Sequence, residues 1–230
     1  MKVGLIRTGM RSILISEETL TFSTTAPTTG GGSKVVLNLS QDHKVIDRAI
    51  VRFGQGRKLP KLQLNPSHTK VYMTVDGNDY AVVSAEEQGE MPVRFKAEKN
   101  GRYTLDLNSE NVSFAYLHLI DNLTGADVDL LQTPSYSFEA KTTDYESRFK
   151  LVFATGDNSN DDNFAFFSNG SFVINNDGEA VLQVIDVTGR IVKSESINGC
   201  ANVKVNGAAG VYMLRLINGD NVKVQKVVLK

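Results

Sequence analysis

The chain has 230 residues, 41% hydrophobic and 22% charged, which suits one large globular domain or two small ones and lies well clear of disorder. Its 25 basic and 26 acidic residues give a net charge of -1 with no basic block longer than two, so nucleic acid and anionic membrane surfaces are not expected partners. Apolar runs such as ILI at 13–15 are far too short for a membrane-spanning helix, and the lone Cys200 excludes an internal disulfide or a cysteine-built zinc site.

Residues 1–25 carry Lys2, Arg7 and Arg11 but no apolar h-region, so no signal peptide is expected there. They read as strand-forming material without a partner of its own. TTAPTTGGGS at 24–33 cannot bury apolar area and reads as a flexible link, making 1–32 an N-terminal extension and linker. Period-two alternation then takes over: Val35, Leu37 and Leu39; Ala49, Val51 and Phe53; Leu62 and Leu64 after Pro60; Val71, Met73 and Val75. Asp76-Gly77 marks a hairpin that returns through Tyr80, Val82 and Val83.

The alternation resumes at Val93, Phe95 and Ala97 and, past the Lys99-Asn100-Gly101 turn, at Tyr103, Leu105 and Leu107. Residues 114–120 are apolar on both parities apart from His118, which predicts a central strand covered on both faces. Tyr136, Phe138 and Ala140, then Phe149, Leu151 and Phe153, close the block. Short strands punctuated by turns at this spacing predict an all-β fold, with a jelly-roll-like antiparallel β-sandwich over 33–155.

An Asp/Asn-rich linker follows at 156–163. Asp157, Ser159, Asp161 and Asn163 alternate as calcium ligands would, but the sixth and twelfth places of an EF-hand loop hold Asp162 and Ser168, so a solvated hinge is expected. In the second predicted domain, 164–230, Leu182 and Val184 lead into the turn Asp186-Val187-Thr188-Gly189, and Ile191, Val192 and Lys193 run back. This turn echoes Asp121 to Gly125: in both, a strand ends at an Asp able to bond the turn's backbone N–H groups, and Gly accepts the φ > 0 position.

Val203 and Val205 form a short strand after Asn198-Gly199, and GAAG at 207–210 turns the chain into a strand with Tyr212, Leu214 and Leu216 on one face. Asn218-Gly219-Asp220 predicts a closing hairpin. The apolar phase of the last strand changes between Val224 and Val227, which predicts a β-bulge at Gln225-Lys226.

The residues offer no catalytic constellation, cofactor site or metal site. His43 and His68 sit among turn residues, and His118 reads as a satisfied, half-buried histidine. No G-x-S-x-G elbow occurs, and Gly54-Gln55-Gly56-Arg57-Lys58 lacks the spacing of a phosphate loop. Acidic pairs such as Asp127/Asp129 and the set Glu86, Glu87 and Glu90 keep a carboxylate-pair hydrolase open as a third reading.

Three blocks in the last stretch, IDVTGRIV at 185–192, GVYMLRL at 210–216 and QKVVLK at 225–230, resemble the C-terminal sorting domain of the type IX (Por) secretion system of Bacteroidetes. The resemblance implies a small Ig-like β-sandwich that directs an exported protein through the outer membrane and is usually cleaved, leaving the cargo anchored to surface polysaccharide. It makes Asp186, Gly189 and Arg190 the turn motif, Gly210 and Tyr212 the G-x-Y motif, and Lys226 and Lys230 the basic end. Where that family commonly opens with an aromatic-Pro-Asn-Pro block, Phe166-Phe167-Ser168-Asn169-Gly170 stands here. GRYTLDLN at 101–108 and FAYLHLIDNLTGADVD at 114–129 resemble the β-sandwich stretch found just before such a terminus in large surface proteins of gut Bacteroidetes.

The expected function is therefore the non-catalytic C-terminal portion of a secreted or cell-surface bacterial protein. Its expected partners are the outer-membrane secretion machinery and a surface polysaccharide or other glycan, and its native gene product is expected to extend upstream to an export signal. The alternative is a carbohydrate-binding module in the 33–155 sandwich, with a row of exposed rings drawn from Tyr72, Tyr80, Tyr116 and Tyr136.

Overall fold

In the computed structural model of the chain, residues 32–62, 65–156 and 163–229 are described, and within them every regular element is a β-strand. The extension 1–31, Leu64, Lys230 and residues 157–162, with Asp157, Ser159, Asp161 and Asp162 of the calcium-like spacing, lie outside the described residues.

The first set of strands is β1 (Lys34–Gln41), β2 (Lys44–Phe53), β3 (Leu59–Pro60), β4 (Lys70–Val75), β5 (Asn78–Ala85), β6 (Gln88–Lys96), β7 (Gly101–Glu110), β8 (Phe114–Asp121), β9 (Ala126–Asp129), β10 (Ser135–Ala140) and β11 (Phe149–Thr155). They follow the path β10-β7-β1-β2-β5-β4-β6-β11-β8-β9, with β3 attached to β5. β4 bends this path over a single core. Its residues Lys70, Val71 and Tyr72 pair with β6, whereas Met73, Thr74 and Val75 pair with β5, so one strand serves both halves.

The pairing is antiparallel except between β2 and β5. Asp76 and Gly77 sit at φ 51° and 77°, the conformation that a tight two-residue hairpin requires. That hairpin folds β5 into the slot between β4 and β2, and β5 consequently runs in the same direction as β2. Leu62, expected in a strand, is instead an exposed residue beyond the two-residue β3, whose Pro60 has no N–H to give a ladder and whose edge is followed by one further bond to β5, from the Lys61 N–H to the Asp79 carbonyl at 2.8 Å.

The alternating residues fill the interior as their periodicity predicts. Phe95 lies at the centre, meeting Tyr103, Phe138 and Phe149 edge-on at ring-centroid distances of 5.2, 5.1 and 6.2 Å. Among the described residues no backbone ladder joins β10 to β9, the two ends of the path. A buried arginine spans that seam. Arg148 Nη1 donates to the Glu139 carbonyl of β10 at 2.8 Å, while Nε and Nη2 donate to the two Asp121 carboxylate oxygens at the end of β8, at 3.0 and 2.8 Å. The guanidinium carbon lies 4.5 Å from the Phe138 ring centroid, and Tyr136 Oη donates to Asp121 Oδ2 at 3.1 Å. Both charged side chains are 1% exposed, which makes the planar fork of arginine the natural occupant of the site. Burial pushes the Asp121 carboxyl up, but the Arg148 hydrogen bonds and the Leu123 N–H outweigh it and hold it below the usual carboxylate range.

β8 is covered on both faces, as its two-parity apolar run predicts. Leu117 and Leu119 enter the core, and Tyr116 and Ile120 are buried on the opposite side. The second cover comes from the C-terminal strands β12 (Ala165–Ser168), β13 (Ser171–Ile174), β14 (Glu179–Ile185), β15 (Ile191–Asn198), β16 (Ala201–Lys204), β17 (Gly210–Asn218) and β18 (Asn221–Leu229). These form a three-stranded sheet, β12-β13-β16, facing a four-stranded one, β15-β14-β17-β18. Phe172, Ile174, Leu182, Val184, Tyr212 and Leu214 fill the space between them.

The ladder between β17 and β18 runs in one unbroken register from Gly210 opposite Leu229 to Asn218 opposite Asn221, so the β-bulge expected at Gln225-Lys226 is absent. The inward parity continues through Lys223, Gln225, Val227 and Leu229, and Gln225 is a polar residue on the inner face. Its side chain replaces a missing strand neighbour: Oε1 accepts from the Ala165 N–H at 2.7 Å, and Nε2 donates to the Ala165 carbonyl at 2.6 Å. The free edge of β12 is thereby satisfied by an amide that presents the same donor–acceptor pair as a backbone.

Candidate functional site

The residues of the three sequence blocks come to one end of the four-stranded sheet. The turn 186–190 leaves β14 just after Ile185, which pairs with Met213; Met213 pairs with Lys226, and Gly210 pairs with Leu229. Each block begins or ends a strand at this end, so the alignment is a consequence of register.

The Asp186 turn is built by its own carboxylate. Oδ1 accepts from the Thr188 hydroxyl at 2.6 Å, the Thr188 N–H at 2.9 Å and the Arg190 N–H at 3.1 Å, and Oδ2 accepts from Arg190 Nε at 3.0 Å. These bonds, the Thr188 hydroxyl foremost, lower the Asp186 carboxyl to about 2, so it stays ionised throughout the physiological range. Gly189 closes the turn at φ 83°, a conformation that a side chain would strain. The Arg190 side chain is 77% exposed and the neighbouring Val187 is 78% exposed. The turn is rigid at its root and displayed at its tip.

Tyr212 of the G-x-Y pair points inward. Its ring is buried near Phe172, and its hydroxyl donates to the Ala208 carbonyl at 2.9 Å, tying the 207–210 turn to the core. A methyl group at Gly207 would overlap that hydroxyl, a role the sequence did not signal. Lys226 is exposed on the outward face, and Lys230, the last residue of the basic block, lies outside the described residues. The same outward face carries Met213, Val222, Val224 and Val228, all partly open to solvent.

Elsewhere the candidate chemistry is already spent. Over the outer face of β1, β7 and β10 runs a polar groove of about 640 Å³ whose lining includes Ser40, Arg102, Thr104, Asp106 and Ser135. Its hydroxyls satisfy one another and Asp106: Ser135 Oγ donates to Asp106 Oδ1 at 2.8 Å, Ser40 Oγ donates to Oδ2 at 3.3 Å, and Thr104 and Ser137 share a bond of 2.9 Å. His118 Nδ1 lies 2.7 Å from Asp127 Oδ1, which satisfies the histidine as expected. Among the described residues no group of three or more His, Cys, Asp or Glu side chains converges as a metal would require.

The row of exposed tyrosines expected for glycan stacking does not form. Tyr72 and Tyr116 are buried, and Tyr80 and Tyr136 pack half-buried against the core. Tyr72 donates its hydroxyl to the Glu146 carboxylate, and burial together with that bond pushes the phenol up. Burial and the nearby Asp127 charge push Tyr116 to about 12.

Residues 168–230 match the family model of the secretion system C-terminal sorting domain. Neither the curated proteins nor the solved structures give a significant match to the chain. The match marks a secreted or cell-surface protein and identifies residues 168–230 as a type IX sorting segment, a non-catalytic element that works with the secretion machinery.

Proposed function

We propose that residues 164–230 form a folded sorting and anchoring module, recognised as a shape at the 186–190, 210 and 226–229 end of its four-stranded sheet. Residues 33–155 are a non-catalytic, jelly-roll-like sandwich that carries it. The observation behind this reading is that all three motif blocks meet at one sheet end, inside the segment that matches a sorting domain. The strand order supports an Ig-like kinship: three strands face four, with the fourth strand of the module paired to the third and not to the fifth.

The partner is the outer-membrane secretion machinery, which meets a surface combining the exposed Arg190 and Lys226 with the partly open valines of β18. Asp186 and Gly189 act by holding the displayed turn, Gly210 and Tyr212 by holding the neighbouring one. Lys230 extends the basic end.

The test places an export signal and a fluorescent protein ahead of residues 32–230 in a host with a type IX secretion system. Delivery of fluorescence to the cell surface is expected, together with periplasmic retention of the same fusion ending at residue 155. Equal delivery of both fusions contradicts the reading.

A further inference from the structure

The outer face of the three-stranded sheet is occupied. Phe166 and Val173, opposite each other across β12 and β13, lie on it, and Val173 is 1% exposed. Tyr116 and Ile120 of β8 and Val152 and Ala154 of β11 form the surface they meet. Polar bonds frame this apolar centre. Ser168 Oγ donates to Glu90 Oε2 at 2.9 Å, Asn202 Nδ2 donates to Tyr116 Oη at 3.3 Å, and Asn175 Nδ2 donates to the Thr155 carbonyl at 3.2 Å. An apolar core inside a polar rim is the anatomy of a specific interface.

We propose that this contact is self-sufficient: it holds the C-terminal module on the 33–155 sandwich without the connecting chain, so a cut between Gly156 and Asn163 leaves the two pieces associated. Both faces are ordered before they meet. Val152, Ala154 and Val173 stand on strands fixed in ladders and have few rotamers to lose. Tyr116 is set in place by a flat stack on His118, ring centroids 4.1 Å apart, and His118 is itself held by Asp127. Docking also leaves the motif end open, because the three blocks belong to the other sheet of the module. The module is presented while it is bound, and proteolysis of the link does not by itself shed it. This holds whether or not the module sorts.

The experiment inserts a site-specific protease sequence between Gly156 and Asn163 of the full chain and cuts it to completion. Size exclusion is expected to give one peak at the position of the uncut chain, with amide exchange on β8 and β11 as slow as before cutting. Two separate peaks overturn the proposal. Val173→Asp, which sets a charge in the apolar centre, and Tyr116→Ala on the opposing face are each expected to give two peaks after cutting, while the circular dichroism of the uncut variants matches that of the parent. Cut variants that stay together as the parent does place the association elsewhere and equally overturn the proposal.

Discussion

After β8 the chain turns at Asp121, and after β14 it turns at Asp186, with nearly the same wiring. In the first, Asp121 Oδ1 accepts from the Leu123 N–H at 3.0 Å and its carbonyl from the Gly125 N–H at 2.8 Å; in the second, Asp186 Oδ1 accepts from the Thr188 N–H at 2.9 Å and its carbonyl from the Gly189 N–H at 2.9 Å. Glycine takes positive φ in both, at 76° and 83°. Each aspartate also binds an arginine, and there the two part company. Arg148 arrives from 27 residues away and is buried with its partner across a seam of the sandwich. Arg190 is four residues away, in the same turn, and stands in solvent. One local code thus serves two ends: a turn turned inward closes a core, and the same turn facing outward holds its arginine in solvent.

Substitution at the two aspartates separates these roles most sharply. Asp121→Ala strips the buried guanidinium of its two-pronged carboxylate partner, leaving only the longer 3.4 Å carboxylate contact of Nη1 with Asp144, and is expected to cost about 3–5 kcal/mol in urea denaturation. Asp186→Ala is expected to leave the unfolding midpoint close to that of the parent. A midpoint that falls equally in both variants erases the distinction between core turn and display turn.

A smaller effect is expected at the Gln225 clamp. Gln225→Leu strands the N–H and carbonyl of Ala165 and should cost roughly 1–3 kcal/mol in thermal unfolding, with faster exchange of the Ala165 amide. Smaller still is the Tyr212 tie. Tyr212→Phe loses the bond to Ala208, about 1 kcal/mol, and should soften the penalty of Gly207→Ala, since the overlapping hydroxyl is gone. A double-mutant cycle with no coupling would remove that account of Gly207.

The pH dependence sharpens the same contrast. Burial raises Asp121 and Glu146, but bonds from Arg148 to the first and from Tyr72 and Lys96 to the second leave both below their ordinary values. Depressed carboxyl values mean that the unfolded chain binds more protons in acid. The stability they supply is complete above roughly pH 4–4.5 and drains away as pH falls toward the folded values. Asp121→Asn should start less stable and decline less steeply over that window; an unchanged acid slope would remove Asp121 from the account.

Where local chemistry decides structure, the sequence was transparent. Asp-Gly at 76–77 sits in the predicted hairpin, and the two-parity run at 114–120 is the strand sandwiched between two apolar layers. Both Asp-to-Gly turns are wired as the echo suggested. The rest depended on partners distant in the chain. Gln225 looked like a slipped phase because a polar residue on an inward parity mimics a bulge, and its partner Ala165 is 60 residues away. Arg148 carried no signal, since a charge normally reads as surface. The tyrosines read as platforms are buried or half-buried against the cores, and the hydroxyls of Tyr72, Tyr116 and Tyr136 bond within the fold. Within the motif end, Asp186, Gly189 and Tyr212 were legible as turn formers, while Gly207 was hidden because its neighbour is a tyrosine hydroxyl brought in by register.

The central claim, that the module is read as a folded shape through its displayed turn, is tested most directly by measuring surface delivery of the fluorescent fusion carrying Asp186→Ala, alongside its unfolding midpoint. A near-parental midpoint with delivery reduced severalfold or more is the predicted result. Parental delivery from a variant whose turn has lost its carboxylate would contradict it.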